Sequence, residues 1–219
     1  MSDDLIEYAV SVDDLSVEVA EHLRRHQSAC RTFLVAIDGL GGSGKSTLAR
    51  TLSARLGGCL VVHVDDFYKT SIDRRVRDTG ATVGSDFALD RLKDQVLTPL
   101  KAGLTAKFHP YNWGEDRLDK PRTIESGGTV IIEGIYSLSS QLFQVYHCRI
   151  WIDCDRATRL ARGLTRDGPL AREQWVEKWM PAEDSYISLE NPEDRADVKL
   201  DTSGPPENGR GSMVIRRLK

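Results

Sequence analysis

The sequence predicts an α/β fold, a three-layer α/β/α sandwich built around a mainly parallel β-sheet. Short runs of continuous apolar residues alternate along the chain with helical patterns, and such runs are typical of strands buried on both faces. Alternation of this kind implies a parallel sheet with helices on both of its faces. The chain has 219 residues, 40% of them hydrophobic, which predicts a single domain over residues 1–219.

The predicted elements follow in order from the amino terminus. An amphipathic helix is expected within residues 1–28, because Val12, Leu15, Val19 and Leu23 recur at intervals of three and four. Strands are predicted at residues 33–37, 59–64, 129–132, 149–153 and 197–200. Further helices are predicted at residues 45–56, 90–101, 155–166 and 170–189, the last one interrupted near Pro181. Glycine and proline in residues 203–211 predict a loop.

The composition argues against several classes of partner. A formal net charge of −3 and a pI near 6.0 give no general attraction to nucleic acid or to an anionic membrane, so a small partner is expected. No apolar run approaches the roughly 18 residues that a membrane span needs, and the amino terminus is acidic where a secretory signal would be basic. The four cysteines form no C-x-x-C pair, which predicts reduced thiols. Together these features predict a cytoplasmic protein and leave a homo-oligomer open.

A glycine-rich segment lies between the first predicted buried strand and the helix after it. Residues 39–46, Gly-Leu-Gly-Gly-Ser-Gly-Lys-Ser, fit the pattern G-x-x-x-x-G-K-[ST] of a phosphate-binding loop, or P-loop. Glycines let backbone N–H groups surround an anion, while Lys45 reaches the β and γ phosphates and the Ser46 hydroxyl ligates Mg²⁺. We therefore expect ATP and Mg²⁺ as cofactors; a glycine-rich turn without a ligand is the alternative. The candidate nucleotide-binding residues of this segment are Gly39, Gly41, Gly42, Ser43, Gly44, Lys45, Ser46 and Thr47.

Two predicted strands end in acidic residues. Asp65 and Asp66 follow the strand at 59–64, and Glu133 follows the strand at 129–132. Because the carboxyl ends of parallel strands lie along one edge of the sheet, these acids are expected beside the P-loop. A kinase needs one carboxylate that orients the acceptor hydroxyl and takes its proton, and another acid that holds Mg²⁺. Asp65 suits the first task and Glu133 the second; for each acid, turn capping or ion pairing is the alternative.

Three arginines lie on one face of the helix predicted at 155–166. Arg159, Arg162 and Arg166 are spaced three and four residues apart. Guanidinium groups in this arrangement could hold the phosphoryl group during its transfer, and such a helix often forms one wall of a closing lid. A solvated charged face is the alternative.

These segments together resemble the uridine kinase family of P-loop kinases, whose fold is shared by phosphoribulokinase and pantothenate kinase. The resemblance rests on residues 39–46, on Asp-Asp-Phe-Tyr at 65–68, on Ile-Glu-Gly-Ile at 132–135 and on the three arginines. It implies an acceptor-binding insertion at about residues 66–125 and lid helices at about residues 155–185. It also implies site roles: catalysis by Asp65, Lys45, Arg159 and Arg162; nucleotide binding by Arg166 besides the P-loop; acceptor binding by Asp65, Tyr68, Phe87, Tyr111 and Arg159; Mg²⁺ binding by Ser46 and Glu133.

The acceptor region departs from the family pattern at two positions. Ala88 stands where uridine kinases place an aspartate that holds ribose hydroxyls, and Asp116 stands where they place a histidine against the pyrimidine. Tyr68, Phe87 and Tyr111, together with Trp113, could form an aromatic wall for a planar group, or they could be core residues.

The leading hypothesis is therefore an ATP- and Mg²⁺-dependent kinase that phosphorylates a hydroxyl of a small, nucleoside-like acceptor. A kinase for a non-nucleoside alcohol, of the pantothenate or sugar type, or for nicotinamide riboside is the first alternative, motivated by Ala88 and Asp116. A nucleotide-dependent switch or metallochaperone is the remote alternative, although the chain lacks an N-K-x-D motif and a cysteine-rich metal site. Neither nucleic acid nor a membrane is expected as a partner.

Overall fold

The structure, a computed structural model, describes residues 6–11, 17, 19–21, 23–25, 31–75, 83–203 and 210–215, with only the backbone of 6–11 and 210–215. Eleven strands lie in this part of the chain. They are β1 (Ile6–Ser11), β2 (Thr32–Gly39), β3 (Leu60–His63), β4 (Ala106–Phe108), β5 (Tyr111–Asn112), β6 (Arg117–Leu118), β7 (Arg122–Ile124), β8 (Gly128–Glu133), β9 (Cys148–Asp153), β10 (Val198–Asp201) and β11 (Arg210–Ile215).

A seven-stranded sheet forms the centre of the fold, in the order β1-β11-β10-β9-β2-β8-β3. The pairs β10–β9, β9–β2, β2–β8 and β8–β3 are all parallel. The mainly parallel sheet predicted from the sequence is confirmed, and each of the five predicted strands is present with small shifts at its ends. The strand predicted at 59–64 ends at His63, because Val64 begins a 3₁₀ turn, Val64–Phe67.

The antiparallel edge formed by β1 and β11 was not predicted. Strand β1 lies inside the segment that was assigned to an amino-terminal helix, and only the helical residues 17–25 of that segment, described without 18 and 22, agree with the prediction. Strand β11 begins at Arg210, inside the predicted loop. The two strands pair with each other from Ile6↔Ile215 to Ser11↔Arg210. Their pairing joins the two ends of the chain, and local sequence patterns carry no signal of such a contact.

Besides 3₁₀ turns, the described residues after the amino-terminal helix form five further helices. They are α1 (Lys45–Arg55), α2 (Ser71–Arg75), α3 (residues 89–101), α4 (Arg156–Asp167) and α5 (residues 172–190). Helix α5 includes a π-helical turn, Trp175–Trp179, that ends just before Pro181. A proline lacks the N–H that an α-helix needs at that position, so the predicted interruption takes the form of this wider turn and the chain stays helical.

Two apolar cores lie on opposite faces of the sheet. On β2, Leu34 and Ala36 pack into a core with α3 and Tyr186 of α5, while Val35 and Ile37 pack into a core with α1 and the amino-terminal helix. Alternate residues of a strand point to opposite faces, and here both faces are apolar. The three-layer α/β/α arrangement is therefore confirmed.

Between α3 and β8 the chain forms two small antiparallel hairpin pairs, β4 with β7 and β5 with β6. They lie within the insertion predicted at about 66–125. Cys59, Cys148 and Cys154 are free thiols, as predicted, and Cys30 lies outside the described residues. No helix in the described ranges is both long enough and apolar enough to cross a bilayer.

Candidate active site

The P-loop connects the carboxyl end of β2 to the first turn of α1. Gly42 and Gly44 have φ angles of 80° and 97°, in the left-handed region that glycine adopts without steric cost. Ser43 N–H donates to the Leu40 carbonyl at 3.2 Å, and Lys45 Nζ donates to the same carbonyl at 2.9 Å. The loop is therefore closed by two hydrogen bonds to the Leu40 carbonyl, one of them from the side chain of Lys45, and it ends at the amino terminus of α1. This is the geometry that the motif predicts for an anion-binding turn.

The predicted Mg²⁺ ligands lie together at the edge of the sheet. Ser46 Oγ donates to Glu133 Oε1 at 3.1 Å. His63 faces Glu133 across the β3–β8 register, and its Nδ1 lies 2.5 Å from the same carboxylate oxygen. Burial would raise the pKa of Glu133, but hydrogen bonding to His63 and the charge of Lys45 hold that pKa below its usual value. Glu133 is therefore a charged carboxylate beside the P-loop.

This donor set fits Mg²⁺. A hydroxyl and a charged carboxylate are hard oxygen ligands, and Mg²⁺ keeps several waters and substrate phosphates in its coordination shell, so it needs few protein ligands. No cluster of three or more His, Cys, Asp or Glu side chains arranged to hold a metal occurs within the described ranges. The arrangement thus suits a metal that enters with a nucleotide.

Asp65 lies in the 3₁₀ turn after β3, and Asp66 beside it points elsewhere. Burial raises the pKa of Asp65, a shift that the positive charge of Lys45 opposes and the negative charge of Glu133 reinforces. Arg166 also acts on Asp65 through its charge. Asp66 instead accepts a hydrogen bond from Arg122 Nη1 at 3.2 Å. Of the two acids, only Asp65 has its pKa lowered by the charge of Lys45. We call Lys45, Ser46, Asp65 and Glu133 the phosphate-loop edge.

The four predicted aromatic residues form one cluster. Tyr68 is at its centre: the ring centroids of Phe87 and Tyr111 lie 5.1 and 5.5 Å away with edge contacts, and that of Trp113 lies 4.6 Å away in a stacked arrangement. Tyr111 is buried, whereas Trp113 is 60% exposed. We call these four residues the aromatic cluster; it has one side in the protein and one in solvent, as a binding wall requires.

The two departures from the family pattern have local explanations. Asp116 accepts hydrogen bonds from Tyr111 Oη at 2.7 Å and from Ser71 N–H at 3.0 Å, and these bonds lower its pKa to about 2. Its carboxylate thus fixes Tyr111 and the start of α2. Ala88 is buried, and its N–H donates to the Phe67 carbonyl at 2.8 Å. Its side chain offers no polar atom to an acceptor.

The three arginines do not share one open face. Arg159 is only 3% exposed and donates from Nη1 to Glu183 Oε2 at 2.7 Å. Arg162 is partly buried and donates from Nη2 to the Thr202 carbonyl at 2.9 Å. Arg166 is exposed and pairs with Asp167, as a solvated face would predict. Burial against α5 and the chain after β10 accounts for the difference, because the sequence pattern of one helix does not show what covers it.

Two buried acids beside the P-loop were missed by the sequence analysis. Glu183 of α5 accepts a hydrogen bond from Gly41 N–H at 2.9 Å. Asp38, which directly precedes the loop, accepts hydrogen bonds at 2.7 Å each from the N–H groups of Gly39 and Leu138 and from the Tyr186 hydroxyl. Burial raises the pKa of Asp38 to about 6 although these three bonds lower it. An acid at the end of a buried strand was a usable signal for Asp38. Glu183 lies in the segment Glu-Asp-Ser-Tyr-Ile at 183–187, which resembles uridine kinase relatives but does not indicate a contact with the P-loop.

Comparisons with known proteins place the chain in a family. Residues 35–187 match the family model AAA_18, AAA domain. A uridine kinase from Deinococcus deserti is 26% identical over 144 residues, which cover 63% of this chain and 69% of that protein. A uridine kinase from Ureaplasma urealyticum is 28% identical over 143 residues, which cover 62% of this chain and 69% of that protein.

Solved structures show the same fold. A "possible uridine kinase" from Bacillus stearothermophilus is similar with a TM-score of 0.66 at 24% identity, over 85% of this chain and 97% of that one. D-glycerate 3-kinase from Cryptococcus neoformans is similar with a TM-score of 0.65 at 15% identity, over 88% and 95%. The family model spans more than half of the chain. The chain therefore belongs to the AAA domain family AAA_18. It is a uridine kinase-like P-loop kinase, a phosphotransferase that acts on a hydroxyl group.

Proposed function

We propose that the protein is an ATP- and Mg²⁺-dependent kinase that transfers the γ-phosphate to a hydroxyl of a small, nucleoside-like acceptor. The observation that carries this proposal is the phosphate-loop edge itself. Lys45 of the P-loop, Asp65 and a Ser46–Glu133 pair 3.1 Å apart share one end of the parallel sheet. The uridine kinase relatives support the nucleoside-like acceptor.

Each residue of the edge has a task in this reaction. Asp65 accepts a hydrogen bond from the acceptor hydroxyl, orients its oxygen toward the γ-phosphorus and takes its proton as the new P–O bond forms and the bond to the β-phosphate oxygen breaks. Its raised pKa suits a group that gains a proton. Lys45 neutralises the phosphate oxygens, with Arg166 as the exposed lid cation whose charge reaches Asp65. Ser46 and Glu133 would hold Mg²⁺, which would offset the negative charge of the phosphates.

Arg159 and Arg162 remain proposed catalytic residues on family resemblance, and Arg159 remains a proposed acceptor-binding residue on the same basis. Their hydrogen bonds to Glu183 and Thr202 turn both guanidinium groups toward the protein. A lid movement would have to accompany direct contact with phosphate. A cytoplasmic location and a homo-oligomeric state also stay predictions.

A non-nucleoside alcohol is the second candidate acceptor, and two observations favour it. Ala88 supplies no polar atom for ribose hydroxyls, and Asp116 is already hydrogen-bonded to Tyr111 and to the Ser71 N–H. A site that lacks a partner for a buried hydroxyl discriminates against that substrate. The aromatic cluster still favours an acceptor with a planar or apolar part.

The experiment that tests the proposal is ADP release by the purified protein with Mg²⁺ and ATP. The panel of acceptors contains uridine, cytidine, nicotinamide riboside, pantothenate and simple sugars, and mass spectrometry identifies the phosphorylated product. Turnover of a pyrimidine nucleoside supports the nucleoside-like acceptor. Turnover of nicotinamide riboside alone keeps a nucleoside-like acceptor but excludes a pyrimidine. Turnover of pantothenate or a sugar alone replaces it with the second candidate, and ATP hydrolysis that no acceptor stimulates contradicts both.

A further inference from the structure

One carboxylate of the lid helices hydrogen-bonds both to the P-loop and to the neighbouring lid helix. Glu183, which is 6% exposed, accepts the Gly41 N–H at 2.9 Å with Oε1 and the Arg159 Nη1 at 2.7 Å with Oε2. A Cβ atom at Gly41 would lie 2.7 Å from Glu183 Oε1 and 3.0 Å from the Trp175 ring, so a larger residue at this position would displace the Glu183 carboxylate. Arg159 is held at its other end by the Cys154 carbonyl, which accepts from Nε at 3.2 Å.

This contact places a negative charge on a loop whose purpose is to attract phosphate. Backbone N–H groups of a P-loop and the adjoining helix terminus attract anions, and a carboxylate on one of those groups competes electrostatically with them. The buried Arg159 charge offsets the carboxylate, so the pair is nearly neutral only while both partners are present. Without Arg159, the Glu183 carboxylate would be an unbalanced buried negative charge beside the loop. Without Glu183, the Arg159 guanidinium would be an unbalanced buried positive charge there.

We propose that Glu183 is a positioning residue that sets the strength of nucleotide binding, because it fixes the Gly41 peptide and balances the charge of Arg159 beside the P-loop. The inference rests on the proposed function, since it assumes that the loop binds ATP. Glu183 touches no reacting atom in this role. It fixes the position of the loop relative to the first lid helix, α4. It also limits the positive electrostatic potential at the place where the phosphates would bind.

The two single substitutions therefore change ATP affinity in opposite directions. Glu183→Gln removes the negative charge and leaves that of Arg159, and ATP binding becomes tighter by about tenfold. Arg159→Met leaves the carboxylate unbalanced on the loop, and binding becomes weaker by a similar factor. The double variant restores the balance, and its affinity returns to within about threefold of the unmodified protein.

The test is calorimetric titration of each purified variant with ATP and Mg²⁺, with the folded fraction measured by circular dichroism. Asp184→Asn is the matched control: it removes a carboxylate one residue away, from an exposed ion pair with Arg156, and leaves ATP affinity unchanged. In turnover assays Glu183→Gln lowers both KM for ATP and kcat, since Arg159 loses its anchor while nucleotide is held more tightly. Loss of structure alone would raise KM.

Weaker ATP binding by fully folded Glu183→Gln overturns the inference and leaves the proposed function intact. If Glu183→Gln does not fold, the double variant decides: an affinity as low as that of Arg159→Met overturns the inference, and recovery supports it. An unmodified protein that binds no ATP overturns the proposed function instead, and that result is visible before any variant is made.

Discussion

The phosphate-loop edge and the aromatic cluster are built from different interactions. At the edge, Ser46 and Glu133 are held by hydrogen bonds between neighbouring strands and the P-loop. In the cluster, Tyr68 and Trp113 are held by ring contacts between short hairpins and turns. Charged groups at fixed distances suit chemistry that is the same for every acceptor, whereas exposed rings suit a contact surface that can change with the acceptor.

This difference implies that substitutions at the edge abolish transfer to all acceptors, while substitutions in the cluster change which acceptor is preferred. Loss of an edge residue should appear in kcat or in the Mg²⁺ requirement. Loss of a cluster residue should appear in the KM of the acceptor.

The largest effect is expected from Asp65→Asn. The amide cannot take the proton of the hydroxyl, so kcat falls by about 10² to 10⁴ for every acceptor while ATP affinity changes little. Asp66→Asn is the control, because Asp66 pairs with Arg122 and not with the edge. The measurement is product formation under saturating ATP, with affinity from calorimetry. Turnover at the original rate would remove Asp65 from the role of base.

Glu133→Gln comes next. A neutral amide is a poorer Mg²⁺ ligand than a charged carboxylate, so half-maximal activity requires about 10- to 100-fold more Mg²⁺. Glu190→Gln makes the same substitution at an acid that pairs with Arg195, and its Mg²⁺ requirement stays that of the unmodified protein. A Mg²⁺ titration of activity distinguishes them. If both variants respond alike, Glu133 does not hold the metal.

Much of the edge could be predicted from the sequence because its information is local. The P-loop is eight consecutive residues, and Asp65 and Glu133 directly follow buried strands whose parallel pairing brings them together. Contacts between distant segments could not be predicted. Gly41 and Glu183 are 142 positions apart, and Arg159 is buried against the same carboxylate.

The same limit applies to β1 and β11. Strand β1 is the edge strand of the sheet, and β11 pairs with it on one side and with β10 on the other, so the position of β1 depends on a partner at the opposite end of the chain. The aromatic cluster lies between these extremes: Tyr68, Phe87, Tyr111 and Trp113 were recognisable as candidates from their residue type. Whether they are core residues or form a binding wall depends on their exposure to solvent, which the hairpin formed by β5 and β6 determines.

A pH-dependent loss of stability is expected from Tyr186→Phe, because Tyr186 contacts Asp38, the residue that directly precedes the P-loop. The Tyr186 hydroxyl donates to the buried Asp38 carboxylate at 2.7 Å. The pKa of Asp38 is about 6 in the folded protein and 3.8 in the unfolded chain. The contribution of Asp38 to the free energy of unfolding is therefore fully present below pH 3.8 and is lost as the pH rises through 6. Loss of the hydroxyl removes a bond to the charged form.

Tyr186→Phe therefore lowers the free energy of unfolding by about 1.5 to 3 kcal/mol at pH 8 and by less at pH 5, where Asp38 is protonated. Urea unfolding at the two pH values gives the difference. Tyr146→Phe is the matched control: Tyr146 is also a buried tyrosine, and its hydroxyl has no hydrogen-bond partner in the described part of the chain. Equal losses at both pH values would show that the Asp38 charge is not stabilised by Tyr186.

The smallest effect is expected from Trp113→Ala in the aromatic cluster. Its ring is 60% exposed and stacks on Tyr68, so its removal deletes contact area for a planar acceptor without opening a cavity in the core. An aromatic contact is worth about 0.5 to 1.5 kcal/mol, which raises the KM of the acceptor about two- to tenfold and leaves the KM of ATP unchanged. Trp179→Ala removes the same side chain beside Trp175, away from the cluster, and serves as the control. A Trp113→Ala variant that lost kcat equally with every acceptor, at constant acceptor KM, would erase the distinction between the two regions.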